Sequence, residues 1–346
     1  MSNKMKNKLD IELARYLRQL NKSFSLSRIS PLLFESINEF VLREGKRVRP
    51  TLFVIGYLGF SDKKAPGLYA SALSLELLHD FMLVHDDIID KSDLRRGKPT
   101  MHRLLGASLK KHRNIKFSGE DLSIVAGDVM YAMALHTFLS IKESPERKEK
   151  ALRRLIEAAI YTGCGEFIEL IFGIKDIRQI KKQDINKIYD LKTAFYTFAC
   201  PLSMGAILGG ADRKQADILF QYGAYLGRAF QIKDDIIGMF GKVSKIGKST
   251  LTDLQEAKKT ILIWSAYHNA GTQKKLAIRK LLAKERINKA DLIKMRRIII
   301  ESGALAYARN EVDSLISKAD ELLSLSKLKP RYKKLLDSYS KKILSV

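Results

Sequence analysis

The chain has 346 residues, of which 46% are apolar and only 7 are proline, so its composition is that of a globular protein with a sizeable core. Its 62 lysines and arginines outnumber its 38 acidic residues, and the net charge of +24 favours an anionic partner: nucleic acid, membrane or small substrate. No apolar run approaches the roughly 18 residues of a membrane-spanning helix, and the charged N-terminus lacks the apolar segment of a secretory signal. We therefore expect no transmembrane segment, a cytoplasmic location, and reduced core thiols at Cys164 and Cys200.

Taken in chain order, apolar residues recur at three- and four-residue intervals, and the chain contains no Asn-Gly or Asp-Gly hairpin signal. This pattern predicts an all-α fold, with residues 1–346 forming a single domain of about a dozen helices. The predicted helices cover residues 8–22, 29–44, 51–60, 65–91, 120–141, 147–172, 181–208, 212–240, 253–269, 272–284, 289–324 and 330–344.

An acidic cluster follows the apolar helix predicted over residues 65–91, in the segment VHDDIIDKSDLRRGKP. At 3.6 residues per turn, Asp86 and Asp90 lie one above the other and Asp87 lies beside them. Three neighbouring carboxylates raise one another's pKa, so a cation is expected among them. Carboxylate oxygens suit Mg²⁺, which keeps several waters and shares its coordination sphere with substrate phosphates.

A second acidic cluster, FQIKDDIIGMFG, ends the apolar helix predicted over residues 212–240. It contains Asp234 and Asp235, and Gln231 falls on the same side of the helix one turn earlier. One such cluster is a weak signal, whereas two on apolar helices are a strong one. If the two helices face each other, their carboxylates would hold metal ions above an apolar cavity.

Basic residues accompany both clusters, and they suit the binding of diphosphates. The chain has no nucleotide-binding loop of the form GxxxxGK followed by Ser or Thr, which disfavours nucleoside triphosphates. The chemistry that remains is that of a diphosphate attached to a hydrophobic group. The basic candidates are Lys46, Arg47, Arg49, Arg95, Arg96, Lys192, Lys248 and Lys258, with Thr193 beside Lys192.

These motifs together resemble those of the trans-polyprenyl diphosphate synthases, in order and approximate spacing, from about residue 42 to about residue 260. The resemblance implies an all-α isoprenoid-synthase fold around a central cavity and a prenyltransferase that condenses an allylic diphosphate with isopentenyl diphosphate. The matching segments are GKRVRP, HDDIIDKSDLRRGKP, GD at Gly127 and Asp128, KTA at residues 192–194, FQIKDD, and GKST with DLQEAKKT.

The resemblance also implies residue roles. Three Mg²⁺ ions are expected in each active site. Two of them are expected to be bound by Asp86 and Asp90, and the third by Asp234 with Asp235 nearby. Glu169 occupies a further metal-ligand position. The expected allylic diphosphate ligands are Arg95, Lys192, Thr193, Gln231, Lys248 and Lys258. The expected isopentenyl diphosphate ligands are Lys46, Arg49, His79 and Arg96. The residues expected to matter most for turnover are Asp86, Asp87, Asp90, Arg95, Lys192, Asp234 and Lys248.

The chain departs from the family pattern at three places. Gly238 stands where a final aspartate of the second cluster is frequent, and the C-terminal SKKILSV carries lysines where an arginine is common. The family GQxxD motif appears as Gly165-Glu166-Phe167-Ile168-Glu169, so a charged residue replaces a neutral amide at position 166. Glu169 keeps a carboxylate with one extra methylene.

Product length is expected to depend on the residues that form the tunnel floor below the first cluster in relatives. Phe81 and Met82 are the fifth and fourth residues before Asp86, and ideal helical geometry also places Leu83 beneath the aspartates. One aromatic residue at the fifth position resembles the archaeal geranylgeranyl diphosphate synthases. We therefore predict a twenty-carbon product, with fifteen-carbon farnesyl diphosphate as the alternative.

Other classes of protein account for fewer of these sequence features. A terpene cyclase needs no isopentenyl site, and a non-catalytic subunit is expected to lack metal ligands that are complete here. A nucleic-acid or membrane-surface protein explains the charge, densest over residues 273–300, but not the paired aspartates. We favour a solvated helix face for residues 273–300 and expect no nucleic-acid partner. Family resemblance implies a homodimer, and the basic surface allows peripheral membrane contact.

Overall fold

The computed structural model describes residues 2–241 and 252–344. The chain divides into two compact units, one made of Met1–Leu152 with Met204–Gly210 and the other of Arg153–Ser203 with Ala211–Val346. Asp86 belongs to the first unit and Asp234 to the second, so the surroundings of each acidic cluster are described within its own unit. The single domain predicted over residues 1–346 stays a prediction.

The first unit is built from helices and one small hairpin. α6 packs along α8, where Gly127 allows close approach: a Cβ atom there would lie 2.4 Å from His85 Nε2. The two strands pair antiparallel, with Arg95 opposite Lys98. The elements are α1 (Ser2–Phe24), α2 (Leu26–Ile29), α3 (Pro31–Val41), α4 (Val48–Phe60), α5 (Leu68–Ala72), α6 (Ser74–Ile89), β1 (Leu94–Arg95), β2 (Lys98–Pro99), α7 (Met101–Leu109) and α8 (Gly119–Phe138).

The second unit is organised around α12, which packs against both α17 and a π-helical segment. The helices α9 and α11 contribute residues to both units. The elements are α9 (Pro145–Ile174), a 3₁₀ turn (Ile177–Gln179), α10 (Lys182–Ile188), the π-helical segment (Tyr189–Ala199), α11 (Cys200–Gly209), α12 (Arg213–Phe240), α13 (Thr252–Gln255), α14 (Ile261–Asn269), α15 (Thr272–Leu282), α16 (Lys289–Glu301), α17 (Ala304–Leu325) and α18 (Pro330–Leu344).

The predicted all-α class is confirmed, although several predicted helices are divided. The helix predicted over 65–91 breaks at Leu73, and the one predicted over 289–324 breaks at Gly303, whose φ of 74° is left-handed. α7 and the hairpin were not predicted, because their short segments carry little periodicity. Cys200 is buried as expected, but Cys164 is exposed on α9, so its placement in the core was wrong.

One helical stretch, Lys182–Gly209, is long and apolar enough to cross a membrane by length and composition alone. In this fold 67% of its most apolar window is buried. Such burial is typical of a core helix in a globular protein.

Candidate active site

The carboxylates at the end of α6 are arranged around Arg95, which β1 supplies. Arg95 Nε donates to Asp87 Oδ1 at 2.9 Å, and Nη2 donates to the same oxygen and to Asp86 Oδ2 at 3.4 Å. Burial by itself would lower the pKa of Arg95, but the hydrogen bond that Arg95 donates to Asp87 and the charges of Asp87, Asp86 and Asp90 raise it. Arg95 therefore provides a cation that the acidic cluster requires.

The three aspartates are unequally exposed. The Asp87 side chain is 1% exposed and that of Asp86 is 22% exposed, while Asp90 is partly exposed where it ends α6. Because Asp87 is buried against Arg95, it orients this arginine, while Asp86 and Asp90 are the more accessible carboxylates.

A buried arginine that was missing from the expected ligands organises the start of α4. Arg47 adopts a left-handed φ of 48°, and its side chain donates to Glu76 Oε1 at 2.6 Å and to Asp10 Oδ1 at 2.8 Å. These contacts tie the Arg47 side chain to α1 and α6, next to Lys46 and two residues before Arg49. The signal available in the sequence was Glu76, an acidic residue on the apolar face of a predicted helix.

The four expected isopentenyl diphosphate ligands all lie in the first unit. Burial, reinforced by the positive charges of Arg49, Arg96 and other arginines, lowers the pKa of His79 well below its ordinary value. His79 is therefore a neutral imidazole at pH 7, which offers one hydrogen-bond donor and one acceptor. Lys46 is exposed on the loop before α4.

Asp80 is a fully buried carboxyl group next to these residues, and the sequence interpretation did not single it out. Neither of its oxygens has a hydrogen-bond partner among the described residues, and Arg96 Nη2 lies 4.0 Å from Oδ1. Burial and the charge of Glu76 raise the pKa of Asp80 to about 8, although Arg96 and other arginines oppose this. Asp80 therefore keeps its proton to a higher pH than an exposed aspartate does.

This raised pKa predicts how stability depends on pH. The folded pKa of Asp80, about 8, exceeds the unfolded value of about 3.9, so the folded state binds the extra proton between these values. The contribution of Asp80 to the free energy of unfolding should then fall as pH rises through 8. We expect Asp80→Asn to gain thermal stability relative to the natural protein between pH 5 and pH 9. A difference in unfolding midpoint that stays constant over this range would contradict the prediction, and Asp313→Asn, at an exposed position on α17, is the control.

In the second unit, Lys192 is held by two carboxylates of α9. Its Nζ donates to Glu169 Oε2 at 2.5 Å and also pairs with Glu166. All three side chains are about one-fifth exposed. The departure at position 166 therefore places a second negative charge directly on the lysine expected to bind the allylic diphosphate.

A chain of hydrogen bonds orders the residues around the second acidic cluster. Thr193 Oγ1 donates to Gln231 Oε1 at 2.7 Å, and Gln231 Nε2 donates to Asp235 Oδ1 at 3.0 Å. The buried Tyr189 hydroxyl donates to Asp235 Oδ2 and accepts from the Ile261 amide at 2.9 Å. Asp235 is thus buried and hydrogen-bonded through both oxygens, whereas Asp234 is exposed. Tyr189 was missed because a tyrosine at helical spacing looks like ordinary core.

Two lysines that follow the second acidic cluster in the chain were expected to bind diphosphate. Lys258 Nζ pairs with Glu256 Oε2 at 2.8 Å. Lys248 lies outside the described residues. The expected role of each in diphosphate binding stays a prediction.

The expected chain-length residues lie on α6, where Phe81 contacts α8. The ring centroid of Phe81 is 4.8 Å from that of His85 and 5.3 Å from that of Tyr131 on α8. Phe81 and Met82 are both partly exposed. His85 also approaches the Ile124 carbonyl at 3.3 Å.

The carboxylates of the two acidic clusters suit a magnesium ion better than they suit a metal ion whose ligands are all protein side chains. Within residues 2–241 and 252–344, no three His, Cys, Asp or Glu side chains converge to form a metal site by themselves. Accessible carboxylates in small number suit Mg²⁺, because this ion keeps waters and completes its sphere with phosphate oxygens. Asp86, Asp90 and Asp234 are carboxylates of this accessible kind.

Comparison with known proteins gives concordant results. A family model described as polyprenyl synthetase matches residues 30–299. The geranylgeranyl diphosphate synthase of Sulfolobus acidocaldarius is 31% identical over 313 residues, covering 88% of this chain and 89% of that protein. The geranylfarnesyl diphosphate synthase of Aeropyrum pernix is 32% identical over 285 residues, covering 81% and 83%. A crystal structure of geranylgeranyl pyrophosphate synthase from Corynebacterium glutamicum, complexed with isoprenyl diphosphate and magnesium, superposes with a TM-score of 0.88 at 26% identity, covering 98% of this chain and 97% of that one.

Proposed function

Because the chain belongs to the polyprenyl synthetase family and is a prenyltransferase, we propose that it joins an allylic diphosphate to isopentenyl diphosphate and releases geranylgeranyl diphosphate. One observation carries this proposal: the acidic cluster at the end of α6 is complete and is paired with Arg95. The expected isopentenyl ligands Lys46, Arg49, His79 and Arg96 belong to the same unit. An acidic cluster beside a second basic site suits an enzyme with two diphosphate substrates.

The proposed reaction has three steps. The C–O bond of the allylic diphosphate breaks, and its electron pair leaves with the diphosphate that Arg95 and Lys192 hold. The double bond of isopentenyl diphosphate then attacks the allylic cation and forms a new C–C bond. Loss of a proton to the released diphosphate restores a double bond, so no separate protein base is needed. Apolar surroundings of the reacting groups are expected to exclude water, which would otherwise capture the cation.

We propose that three magnesium ions serve each active site, with Asp86, Asp90, Asp234 and Glu169 among the residues that hold them. Bound magnesium neutralises the negative charge that builds up on the diphosphate. Asp235 is expected to support Asp234 from the interior, since both of its oxygens already accept hydrogen bonds from Gln231 and Tyr189. The magnesium in the C. glutamicum complex supports this choice of metal.

The direct test is incubation with isopentenyl diphosphate, Mg²⁺ and a five-, ten- or fifteen-carbon allylic starter, followed by chromatography of the products. We expect diphosphate release with every accepted starter and a twenty-carbon product. A fifteen-carbon product would support the farnesyl alternative. Absence of any new C–C bond with all three starters would contradict the proposed function.

We also propose that the chain forms a homodimer. Several large apolar side chains of α9 are exposed within the second unit, which is unusual for a surface that contacts only water. They are Ile156, Ile160, Tyr161, Phe167, Leu170, Ile171 and Ile174. We expect light scattering to give twice the chain mass of 39.3 kDa, and a monomeric mass would contradict the prediction.

A cytoplasmic location with peripheral membrane contact is proposed as well. The net charge of +24 would attract the chain to anionic lipid, and a twenty-carbon product partitions into bilayers. Sedimentation with anionic but not with neutral liposomes is the expected result.

A further inference from the structure

Glu166 occupies the place where the chain departs from its family pattern, and the fold brings it onto Lys192. α9 and the π-helical segment touch backbone to backbone at Gly165: a Cβ atom there would lie 2.7 Å from the Lys192 amide nitrogen. Glycine is required for this approach. The next residue of α9, Glu166, therefore reaches the ammonium group of Lys192 from a backbone position that cannot shift freely.

Two carboxylates and one ammonium group meet in this cluster. Lys192 Nζ contacts both Glu166 Oε2 and Glu169 Oε2. The side chains are only 18–22% exposed, so water screens their charges less than it would on an open surface. A neutral amide at position 166, as in the family pattern, would leave Glu169 as the one charged partner of Lys192 among these three side chains.

We propose that Glu166 is a positioning residue that holds Lys192 in one orientation and offsets its charge, so that diphosphates are bound less tightly and released more readily. This inference rests on the proposed function, in which Lys192 binds the allylic diphosphate. If Glu169 turns to a metal ion, Glu166 is the carboxylate that stays on Lys192. The enzyme then keeps a directed N–H donor toward the diphosphate while it avoids an affinity that would slow product release.

Two substitutions separate the effect of charge from that of position. Glu166→Gln keeps an oxygen acceptor for Lys192 but removes the negative charge, whereas Glu166→Ala removes both. The matched control is Glu157→Gln on the same helix, whose side chain is 47% exposed and pairs with Arg154. Thermal unfolding of each variant verifies that it folds.

The first measurement is calorimetric binding of inorganic diphosphate to the full chain in Mg²⁺ buffer. We expect Glu166→Gln to bind diphosphate about tenfold more tightly than the natural protein, because the substitution removes a weakly screened negative charge close to the bound anion. Glu157→Gln should leave the affinity unchanged. In the Lys192→Ala background the gain from Glu166→Gln should disappear, since the proposed effect acts through Lys192.

The second measurement is steady-state kinetics with the allylic starter. Glu166→Gln should lower KM for the starter, whereas Glu166→Ala should lower kcat because Lys192 loses its orientation. Unchanged or weaker diphosphate binding by Glu166→Gln would overturn the inference, and so would a gain that persists without Lys192. Failure of the proposed function is distinguishable, because the natural protein would then form no prenyl product.

Discussion

Replacing Asp86 by alanine is expected to reduce kcat by about a thousandfold with little change in folding. Asp86 is an accessible carboxylate near the end of α6, and it accepts a hydrogen bond from Arg95 Nη2. The substitution removes a proposed metal ligand and this hydrogen bond, while the hydrogen bonds from Arg95 to Asp87 remain. Charge that develops on the leaving diphosphate would then be poorly neutralised. The measurement is diphosphate release at saturating Mg²⁺ and substrates.

The outcome can be separated from a general loss of stability. Asp86 is partly exposed, so its loss creates no large cavity, and the thermal unfolding midpoint should stay close to that of the natural protein. Asp313→Ala, at an exposed position on α17, removes the same carboxylate elsewhere and should retain full turnover. Near-normal activity of Asp86→Ala would contradict the assignment of the first acidic cluster to metal binding. The same test applies to Asp234→Ala and the second cluster.

Replacing Phe81 by alanine is expected to lengthen the product beyond twenty carbons by at least one five-carbon unit. The ring of Phe81 on α6 contacts the rings of both His85 and Tyr131, and these contacts restrict its motion. A rigid aromatic ring blocks a growing chain more effectively than a mobile one, and alanine at this position would open the space that the ring fills. Chromatography of the products from a fifteen-carbon starter is the measurement.

The control for this prediction is an aromatic residue outside the proposed tunnel. Phe117→Ala removes a ring that is 52% exposed, and it should leave the product distribution unchanged. An unchanged chain length in Phe81→Ala, with transfer activity retained, would refute the gating role.

The helical class and the chemistry were predictable because both depend on local features. Apolar residues spaced by three and four positions identify helices. The residue pairs DD, KT and RR belong to motifs that can be recognised from the sequence without a structure. Helix ends were less predictable, as at Leu73 and Gly303, because they depend on capping and on backbone conformations that many sequences share.

The contacts inside the site were not predictable from spacing. The first cluster consists of three residues of the same type, close together in the sequence. Nevertheless, Asp87 is buried against Arg95, whereas Asp86 and Asp90 are more accessible. Arg47 pairs with Glu76 across 29 positions, and Tyr189 reaches Asp235 across 46. Such partners meet only when helices pack, so no local pattern reports them.

The sequence by itself determined that this chain is a helical protein with two acidic clusters, a basic complement and the motifs of one enzyme family. Only the tertiary structure decided how the charges are divided: Arg95 on Asp87, Lys192 between Glu166 and Glu169, and Asp80 buried in the interior with a raised pKa. The physical reason is that residue type specifies what a side chain can bind. Burial and the partners brought near by packing specify which of those bonds it makes and what charge it carries.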